Sequence, residues 1–261
     1  MTHWLIDLPL VWGLLLFVVI IVAAGDIIYV AVYHLFAKSV LSKKHKDVSK
    51  LLFRTAASLL GLLLSFTLAN QRVDYFTIKS SIQAEASKMV DIHVDLALFA
   101  TPEAAAIQRQ VRDYIGVTLD EGWGAITASP FDSKSAKAFM SLYRAIHQLE
   151  PVNPHQEQLK SSLLSDIDEV SDYMQVRFYK ARPETPHLFY VAFLGYAIVM
   201  ILFAAYEPDR ISLIFLSLYN IFIGIVLYFI VMMNNPLIGP MQVKAEPFEI
   251  LQETIKAKFK D

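Results

Sequence analysis

Four long apolar runs alternate with polar segments along the chain, and each run predicts a membrane-spanning helix. An α-helix needs about 20 apolar residues to cross a hydrocarbon layer of about 30 Å. A short lysine-rich loop, a long polar segment and a tight turn separate the runs, and a proline-containing tail follows the last one. The predicted spans cover residues 8–36, 51–70, 187–206 and 211–233, the lysine-rich loop covers 37–50, and the tail covers 234–261.

The second span predicts a helix that continues well beyond the bilayer. Residues 51–99 contain no proline and only one glycine, Gly61. A pattern without breakers predicts one continuous helix, which at 1.5 Å per residue would be about 70 Å long. This exceeds the thickness of the hydrocarbon layer, so we expect the helix to cross the membrane and to continue into the polar segment.

The polar segment between the second and third spans, residues 71–187, predicts a helical bundle. Apolar residues recur at intervals of three and four near 101–121, 133–149 and 155–181, which is the spacing of amphipathic helices. The tail ends in another short amphipathic stretch, about 247–258. The predicted fold class is an all-α membrane protein with four transmembrane helices, a helical-bundle insert between the second and third, and a second span that continues as a long helix.

Small residues recur at every fourth position of the second span and give it a face that another helix could approach closely. Two interpretations stay open for this face. It packs against another helix of the same subunit, or it lines a water-filled path in an oligomer. The candidate residues for pore lining or helix packing are Ala57, Ser58, Gly61, Ser65, Ala69 and Asn70.

Three polar residues within the predicted spans are candidates for a functional or packing role: Asp26, Arg54 and Asn220. An ionisable residue inside a membrane is costly and is a functional candidate by default. For Asp26 the alternative is that the span ends near it and that the following residues lie at the interface. With a turn at about 42–48, Asp26 and Arg54 would lie at different depths. A buried asparagine usually joins helices by hydrogen bonds, and we prefer that role for Asn220.

Composition narrows the function classes. The chain has 261 residues, of which 55% are hydrophobic, a net charge of −2 and no cysteine, and its mean hydropathy is +0.44. A balanced charge gives no indication of a nucleic-acid partner, and the absence of cysteine excludes disulfides and thiolate chemistry. No phosphate-binding glycine loop, zinc-binding motif or nucleophile elbow is present. We therefore expect neither an enzyme nor a resident cofactor or metal.

Two polar positions beyond the second span are harder to interpret. Glu85 lies among the small residues Ala84 and Ala86, and both a buried, hydrogen-bonded acid and an ordinary surface acid fit that pattern. A group of Asp91, His93 and Asp95 has poor geometry for a metal, because His93 points about 200° away from Asp91 at helical spacing. We interpret that group as a solvated helix surface.

Three stretches resemble a bacterial family described as bestrophin-like. They are GLLLSFTLANQRVDYF at 61–76, QAEASKMVDIHVDL at 83–96 and NNPLIGPMQV at 234–243. The layout of spans and insert is also similar to that of true bestrophins, which are pentameric anion channels. The resemblance implies a homo-oligomer, by analogy a pentamer, that passes ions. It also implies functional residues where the second span leaves the membrane, and the candidates on this exit helix are Arg72, Tyr75 and Glu85.

Two functional hypotheses follow from the sequence. The first is an oligomeric ion channel or pore lined by the second span. The second is a non-catalytic membrane scaffold or accessory protein whose helical insert binds a partner. In either case the expected location is the cell inner membrane, with the lipid bilayer as surroundings and several passes through it.

The orientation of the insert is left open by two conflicting arguments. The loop at 37–50 carries five lysines, and short loops rich in lysine usually face the cytoplasm. That argument places the insert and both termini outside. The resemblance to true bestrophins implies the opposite, because those channels hold the corresponding domain in the cytoplasm.

Overall fold

The computed structural model describes residues 8–38, 42–128, 132–180 and 187–258, and within these ranges every regular element is helical. This confirms the all-α prediction. Helix α1, Leu10–Val32, continues as a π-helical turn, Tyr33–Ala37. The remaining helices are α2 (Lys43–Phe99), α3 (Pro102–Ala128), α4 (Lys134–Gln148), α5 (Pro154–Lys180), α6 (His187–Phe203), α7 (Arg210–Met233) and α8 (Glu246–Lys258).

Three of these helices are long and apolar enough to cross a membrane: Leu10–Phe36, α2 and α7. Helix α6 is shorter, with an apolar part at Tyr190–Phe203. The chain then leaves the α-helix in a tight turn in which Ala204, Ala205 and Tyr206 each bond to the carbonyl three residues earlier. The full layout of four spans therefore stays a prediction.

Helix α2 begins eight residues earlier than the second span was expected to begin, at Lys43 instead of residue 51. The lysine-rich segment is thus mostly helix. Lysine is a good helix former, and neither proline nor glycine interrupts residues 42–50. Ser42 caps this helix start, since its side chain accepts a hydrogen bond from the backbone N–H of His45 at 3.4 Å. The connection between α1 and α2 is correspondingly short.

The described residues fall into two compact units. The membrane unit lies within Met1–Val73, Glu184–Asn235 and Gly239–Met241. The bundle unit lies within Asp74–Pro183, Pro236–Ile238 and Gln242–Asp261. Helix α2 contributes its first part to the membrane unit and its second part to the bundle unit.

In the membrane unit, α1 packs closely against α7 because glycines face the contact. A Cβ atom at Gly224 would lie 3.3 Å from the Cα of Val18. A Cβ atom at Gly25 would occupy the place of the Asn220 amide and the Tyr196 hydroxyl. Small residues at such positions let two helix backbones approach and let polar side chains bond across them.

The first part of α2 packs one of its faces against the other helices of the membrane unit. Leu60, Leu64 and Thr67 are buried on this face. At its start, the Phe53 ring packs edge-on against Phe203 at 5.0 Å between ring centroids. This face anchors α2 to α6 and to the turn that follows it.

The bundle unit has a single core made by α2, α3, α4, α5 and α8. Ile78, Ile82 and Met89 line the α2 side of this core and are fully buried. Helix α8, which the sequence predicted only as an amphipathic stretch, belongs to the same core. Its Phe248 is fully buried and lies 6.3 Å from the ring of Tyr114.

His93 corrects one interpretation from the sequence. Its side chain is 1% exposed, whereas Asp91 is exposed and Asp95 is half-buried, so the predicted solvated surface does not include His93. A helix within a bundle buries positions on the arc that faces its neighbours, and His93 follows Met89 by one turn on that arc.

Substitution of Gly25 tests the close packing of the membrane unit. We expect Gly25→Ala to lower stability by about 1–3 kcal/mol, because the methyl group must displace Asn220 and Tyr196. The control is Gly61→Ala, where the new Cβ atom meets no described atom within 4 Å. The thermal unfolding midpoint in detergent should fall for the first variant only, and equal midpoints would contradict the packing described here.

Candidate functional site

A stripe of small and polar residues runs along α2 within the membrane unit. At 100° per residue its members fall within an arc of about 120° around the helix. We call this set the α2 stripe: Arg54, Ala57, Ser58, Gly61, Ser65, Ala69 and Arg72. Asn70, also a candidate from the sequence, lies about 180° from Gly61 at this spacing and does not join the stripe.

The stripe lies beside the packed side of α2, about 110° from it around the helix, and Ala57 at the edge of the stripe packs against the core of the membrane unit. Ser58, Ser65 and Ala69 are exposed, whereas Leu60 and Leu64 are 3% and 2% exposed. A Cβ atom added at Gly61 would find no described atom within 4 Å. Packing against a helix of the same subunit, which was one interpretation of the small residues, does not occur at Gly61 in the described part of the chain.

The hydroxyl groups of the stripe donate to their own helix. Ser58 Oγ donates to the carbonyl of Arg54 at 2.9 Å, and Ser65 Oγ donates to the carbonyl of Gly61 at 2.8 Å. This arrangement satisfies the O–H donors within the apolar layer. It also leaves oxygen lone pairs on the stripe that can accept hydrogen bonds from water.

Arginines end the stripe at both sides. Arg54 and Arg72 are 18 residues apart, which corresponds to about 27 Å of helix. That length is close to the thickness of the hydrocarbon layer. Residues 55–71 between them carry no charge. The part of the stripe between the two arginines is therefore uncharged and about as long as the membrane is thick, and each end carries a positive charge.

A second polar group joins three helices of the membrane unit. Ser217 Oγ donates to Asp26 Oδ2 at 3.1 Å, and Asn220 Nδ2 donates to Asp26 Oδ1 at 3.4 Å. Tyr196 Oη lies 3.1 Å from Asn220 Oδ1 and 3.0 Å from the carbonyl of Ile21. Asn220 is fully buried and bonds α1 and α6 to α7, as expected of an asparagine that joins helices.

The short turn also changes the expected depths of Asp26 and Arg54. The π-helical turn ends at Ala37 and α2 begins at Lys43. Asp26 and Arg54 are each eleven residues from these ends, which is about 16 Å of helix. They therefore lie at similar depths. Arg54 is exposed on α2, while Asp26 accepts hydrogen bonds from α7. The two side chains therefore do not form a pair. Helix α1 also continues past Asp26.

The bundle unit contains a buried ion pair on the second part of α2. Arg177 Nη1 lies 3.0 Å from Glu85 Oε2, and both side chains are 0% exposed. The hydroxyl of Tyr114 donates to Glu85 Oε1. The guanidinium carbon of Arg177 lies 4.9 Å above the ring of Trp123, in cation–π geometry. Of the two interpretations of Glu85, the buried, hydrogen-bonded acid is the one observed.

Burial dominates the electrostatics of this group. It raises the pKa of Glu85, and the Arg177 guanidinium and the Tyr114 hydroxyl oppose that rise. Burial, together with the neighbouring Glu85 carboxylate, also raises the pKa of Tyr114. Tyr114 consequently keeps its proton and remains a hydrogen-bond donor to Glu85. The three side chains fix α2 to α3 and α5.

The other exit-helix candidates lie apart from this group. Arg72 is exposed and Tyr75 is half-buried. Tyr75 lines a groove of about 700 Å³ in the bundle unit, between α2 and the segment that leads into α8. Lys79 and Gln83 continue the α2 wall of the groove, and Lys244 and Ile250 belong to the opposite wall. Across the described residues no cluster of three or more histidines and acids could hold a metal ion.

Removal of one member of the buried pair should be more harmful than removal of both. We expect Arg177→Met to lower stability by about 3–5 kcal/mol, because Glu85 would be left as a buried carboxylate without a countercharge. The double variant Glu85→Leu/Arg177→Met should recover most of that loss, since apolar replacements need no countercharge.

Denaturant unfolding of the full chain in detergent gives both values. A stable Arg177→Met variant would contradict this assignment of the pair. A double variant that is as unstable as the single one would contradict it as well.

Comparison with known families agrees with this picture. A family model described as "Bestrophin-like domain" matches residues 19–248, a range that includes α1 from its middle, all of α2 and α7, and the start of α8. No curated protein matches the chain, and no solved structure matches it. The family match and the apolar helices of the membrane unit together establish that the chain is a membrane protein of the Bestrophin-like family.

Proposed function

We propose that this protein is an oligomeric ion channel in which the α2 stripe lines the conducting path. The observation that carries the proposal is the open space at Gly61, on an uncharged track of membrane length. A polar track exposed to lipid would gain nothing from its serine oxygens, whereas the same track around a central axis would face water. The membership of the Bestrophin-like family is consistent with a channel-like membrane protein.

The two arginines favour anions. Copies of Arg54 and Arg72 around a central axis would place rings of positive charge near both ends of the path. Rings of Arg or Lys attract anions in known pores. The low dielectric of the surrounding lipid strengthens such interactions relative to water. We therefore propose that anions permeate better than cations, in a homo-oligomer that by family analogy is a pentamer.

The proposal assigns no catalytic step and no resident cofactor to the chain. Ions, the lipid bilayer and further copies of the same chain are its partners. The proposed location is the inner membrane, with several passes through it.

A second candidate function rests on the groove in the bundle unit. A groove of about 700 Å³ has the size of an ordinary binding site, and it is flanked by lysines, amides and apolar side chains. A scaffold or accessory protein would use such a surface to bind a partner without conducting ions. Capture of a defined partner that is lost when Lys79 and Gln83 are replaced, from a protein without conductance, would favour this second function.

Conductance of the purified protein in planar bilayers tests the proposed channel. We expect chloride currents for the wild type, because the arginine rings attract anions. Arg54→Gln should reduce the preference for chloride over potassium. Arg144→Gln provides the matched control, since Arg144 is exposed in the bundle unit and its loss changes the net charge by the same amount.

Gly61→Leu tests the position of the stripe independently. The larger side chain would enter the path or the contact between copies, and it should abolish the current or the oligomer. Phe66→Ala, at an exposed position about 140° from Gly61 around the helix, should leave both unchanged. Absence of current for the wild type with several salts would contradict the proposal, and so would a Gly61→Leu variant with unchanged current and assembly.

A further inference from the structure

The end of the membrane unit that holds the lysine-rich segment carries an excess of positive charge. The end of α1, the start of α2, the end of α6 and the start of α7 meet there. Ser49 Oγ donates to the carbonyl of Leu202 at 3.1 Å, and Tyr29 Oη donates to the carbonyl of Tyr206 at 3.4 Å. The basic residues at this end are Lys38, Lys43, Lys44, Lys46, Lys50 and Arg210, and the acidic residues are Asp47, Glu207 and Asp209.

Two of these lysines are held in place by aromatic rings. Lys46 Nζ lies 5.9 Å from the centroid of the Tyr33 ring, and Lys50 Nζ lies 5.0 Å from the centroid of the Tyr206 ring. Both distances are within the range of cation–π attraction. Lys46 and Lys50 are one helical turn apart on α2, so their ammonium groups are neighbours on the same face.

None of the three acidic residues forms an ion pair with Lys46 or Lys50 within the described residues. Asp209 caps α7, because its carboxylate accepts a hydrogen bond from the backbone N–H of Ser212 at 2.7 Å. That bond and the Ser212 side chain lower the pKa of Asp209. Asp47 is exposed and lies about 100° from Lys46 around α2. It is three residues before Lys50, a spacing at which side chains are neighbours, but it forms no ion pair with Lys50 in the part of the chain that the structure describes. The two ring-held lysines therefore keep their positive charge available to a ligand.

Apolar side chains lie directly beside this positive end. Leu35 and Phe36 are 68% and 60% exposed on the π-helical turn, and Leu51 and Leu52 are 64% and 50% exposed on α2. The mainly apolar part of α2 begins with Leu51. Tyrosine rings with apolar bodies and polar tips are typical of the headgroup level of a bilayer. Cations at that level with an apolar surface beside them match a phospholipid, whose phosphate and acyl chains have the same arrangement.

We infer that Lys46 and Lys50, with Lys43 one turn before Lys46, form a binding site for the headgroup phosphate of an anionic phospholipid. The phosphate lies between the two ammonium groups, and the acyl chains run along the exposed apolar residues of α1 and α2. Basic residues next to a membrane span each contribute about 1 kcal/mol of attraction to anionic lipids. The rings hold both lysines ready, so little side-chain freedom is lost when the lipid binds.

Native mass spectrometry of the detergent-purified full chain, with phosphatidylglycerol or phosphatidylcholine added, tests this site. The wild type should bind phosphatidylglycerol preferentially. Lys46→Gln/Lys50→Gln should reduce its affinity for phosphatidylglycerol about 30-fold, the value that corresponds to two basic residues. Its affinity for phosphatidylcholine should not change. Because the protein is in detergent, any effect of the lysines on membrane orientation does not enter the measurement.

Two variants serve as controls. Lys46→Arg/Lys50→Arg keeps the charges and the contacts with the rings, and it should retain the preference. Lys134→Gln/Lys137→Gln removes the same net charge from exposed positions of α4 in the bundle unit, and it should bind both lipids as the wild type does. Thermal midpoints of all variants without lipid identify any that fail to fold, and the Arg variant keeps the test decisive in that case.

Three results would overturn the inference. The first is an unchanged preference in Lys46→Gln/Lys50→Gln. The second is an equal loss in the α4 control, which would mean that net charge alone attracts the lipid. The third is equally tight binding of inorganic phosphate, which would mean that the acyl chains contribute nothing and that the site is not a lipid site.

Discussion

Helix α2 buries only one of its faces within its own chain, and a membrane helix must find an environment for its other face as well. Leu60, Leu64 and Thr67 satisfy the first requirement by packing into the membrane unit. The neighbouring stripe combines serine oxygens and Gly61, and arginines lie at its two ends. Lipid offers the serine oxygens of the stripe no hydrogen-bond donor. A water-filled path between copies of the chain offers such donors, and that requirement underlies the proposed channel.

A second polar group of the membrane unit is hydrogen-bonded within one chain. Asp26 receives hydrogen bonds from Ser217 and Asn220, and Tyr196 completes this group across three helices. Close approach at Gly25 and Gly224 makes those bonds geometrically feasible. In the bundle unit, Glu85 likewise has partners within the chain: an ion pair with Arg177 and a hydrogen bond from Tyr114. An ion pair of this kind contributes little net stability, but it penalises any rotation of α2 that would separate the two charges.

The sequence predicted the helices well because their signals are local. Apolar runs and breaker-free stretches can be recognised from residues that are close in the sequence. The same holds for the four-residue spacing of Ala57, Gly61, Ser65 and Ala69. The start of α2 was placed too late because hydropathy ends where the lysines begin, although lysine favours helix. That error also separated Asp26 and Arg54 in depth, and the short connection brings them to similar levels.

Other features depend on contacts between distant parts of the chain, and the sequence could not supply them. Arg177 was not among the candidates from the sequence, because its partner Glu85 is 92 residues away. The position of α8 in the bundle core could not be predicted for the same reason, since an amphipathic pattern does not indicate which core the helix will join. The burial of His93 was missed for the same reason. Its polarity suggested contact with solvent, but the packing of α2 against the other helices of the bundle buries it.

The reactivity of single cysteines in membranes tests the central claim most directly, and the chain has no native cysteine to interfere. A charged thiol reagent that does not enter lipid should modify Ser58→Cys and Ser65→Cys, because the stripe faces water. Leu64→Cys, which is packed, and Phe66→Cys, which is 62% exposed on another side of α2, should stay unmodified. If Ser65→Cys in a folded, assembled protein is as unreactive as Phe66→Cys, the stripe contacts lipid or protein and does not line a water-filled path.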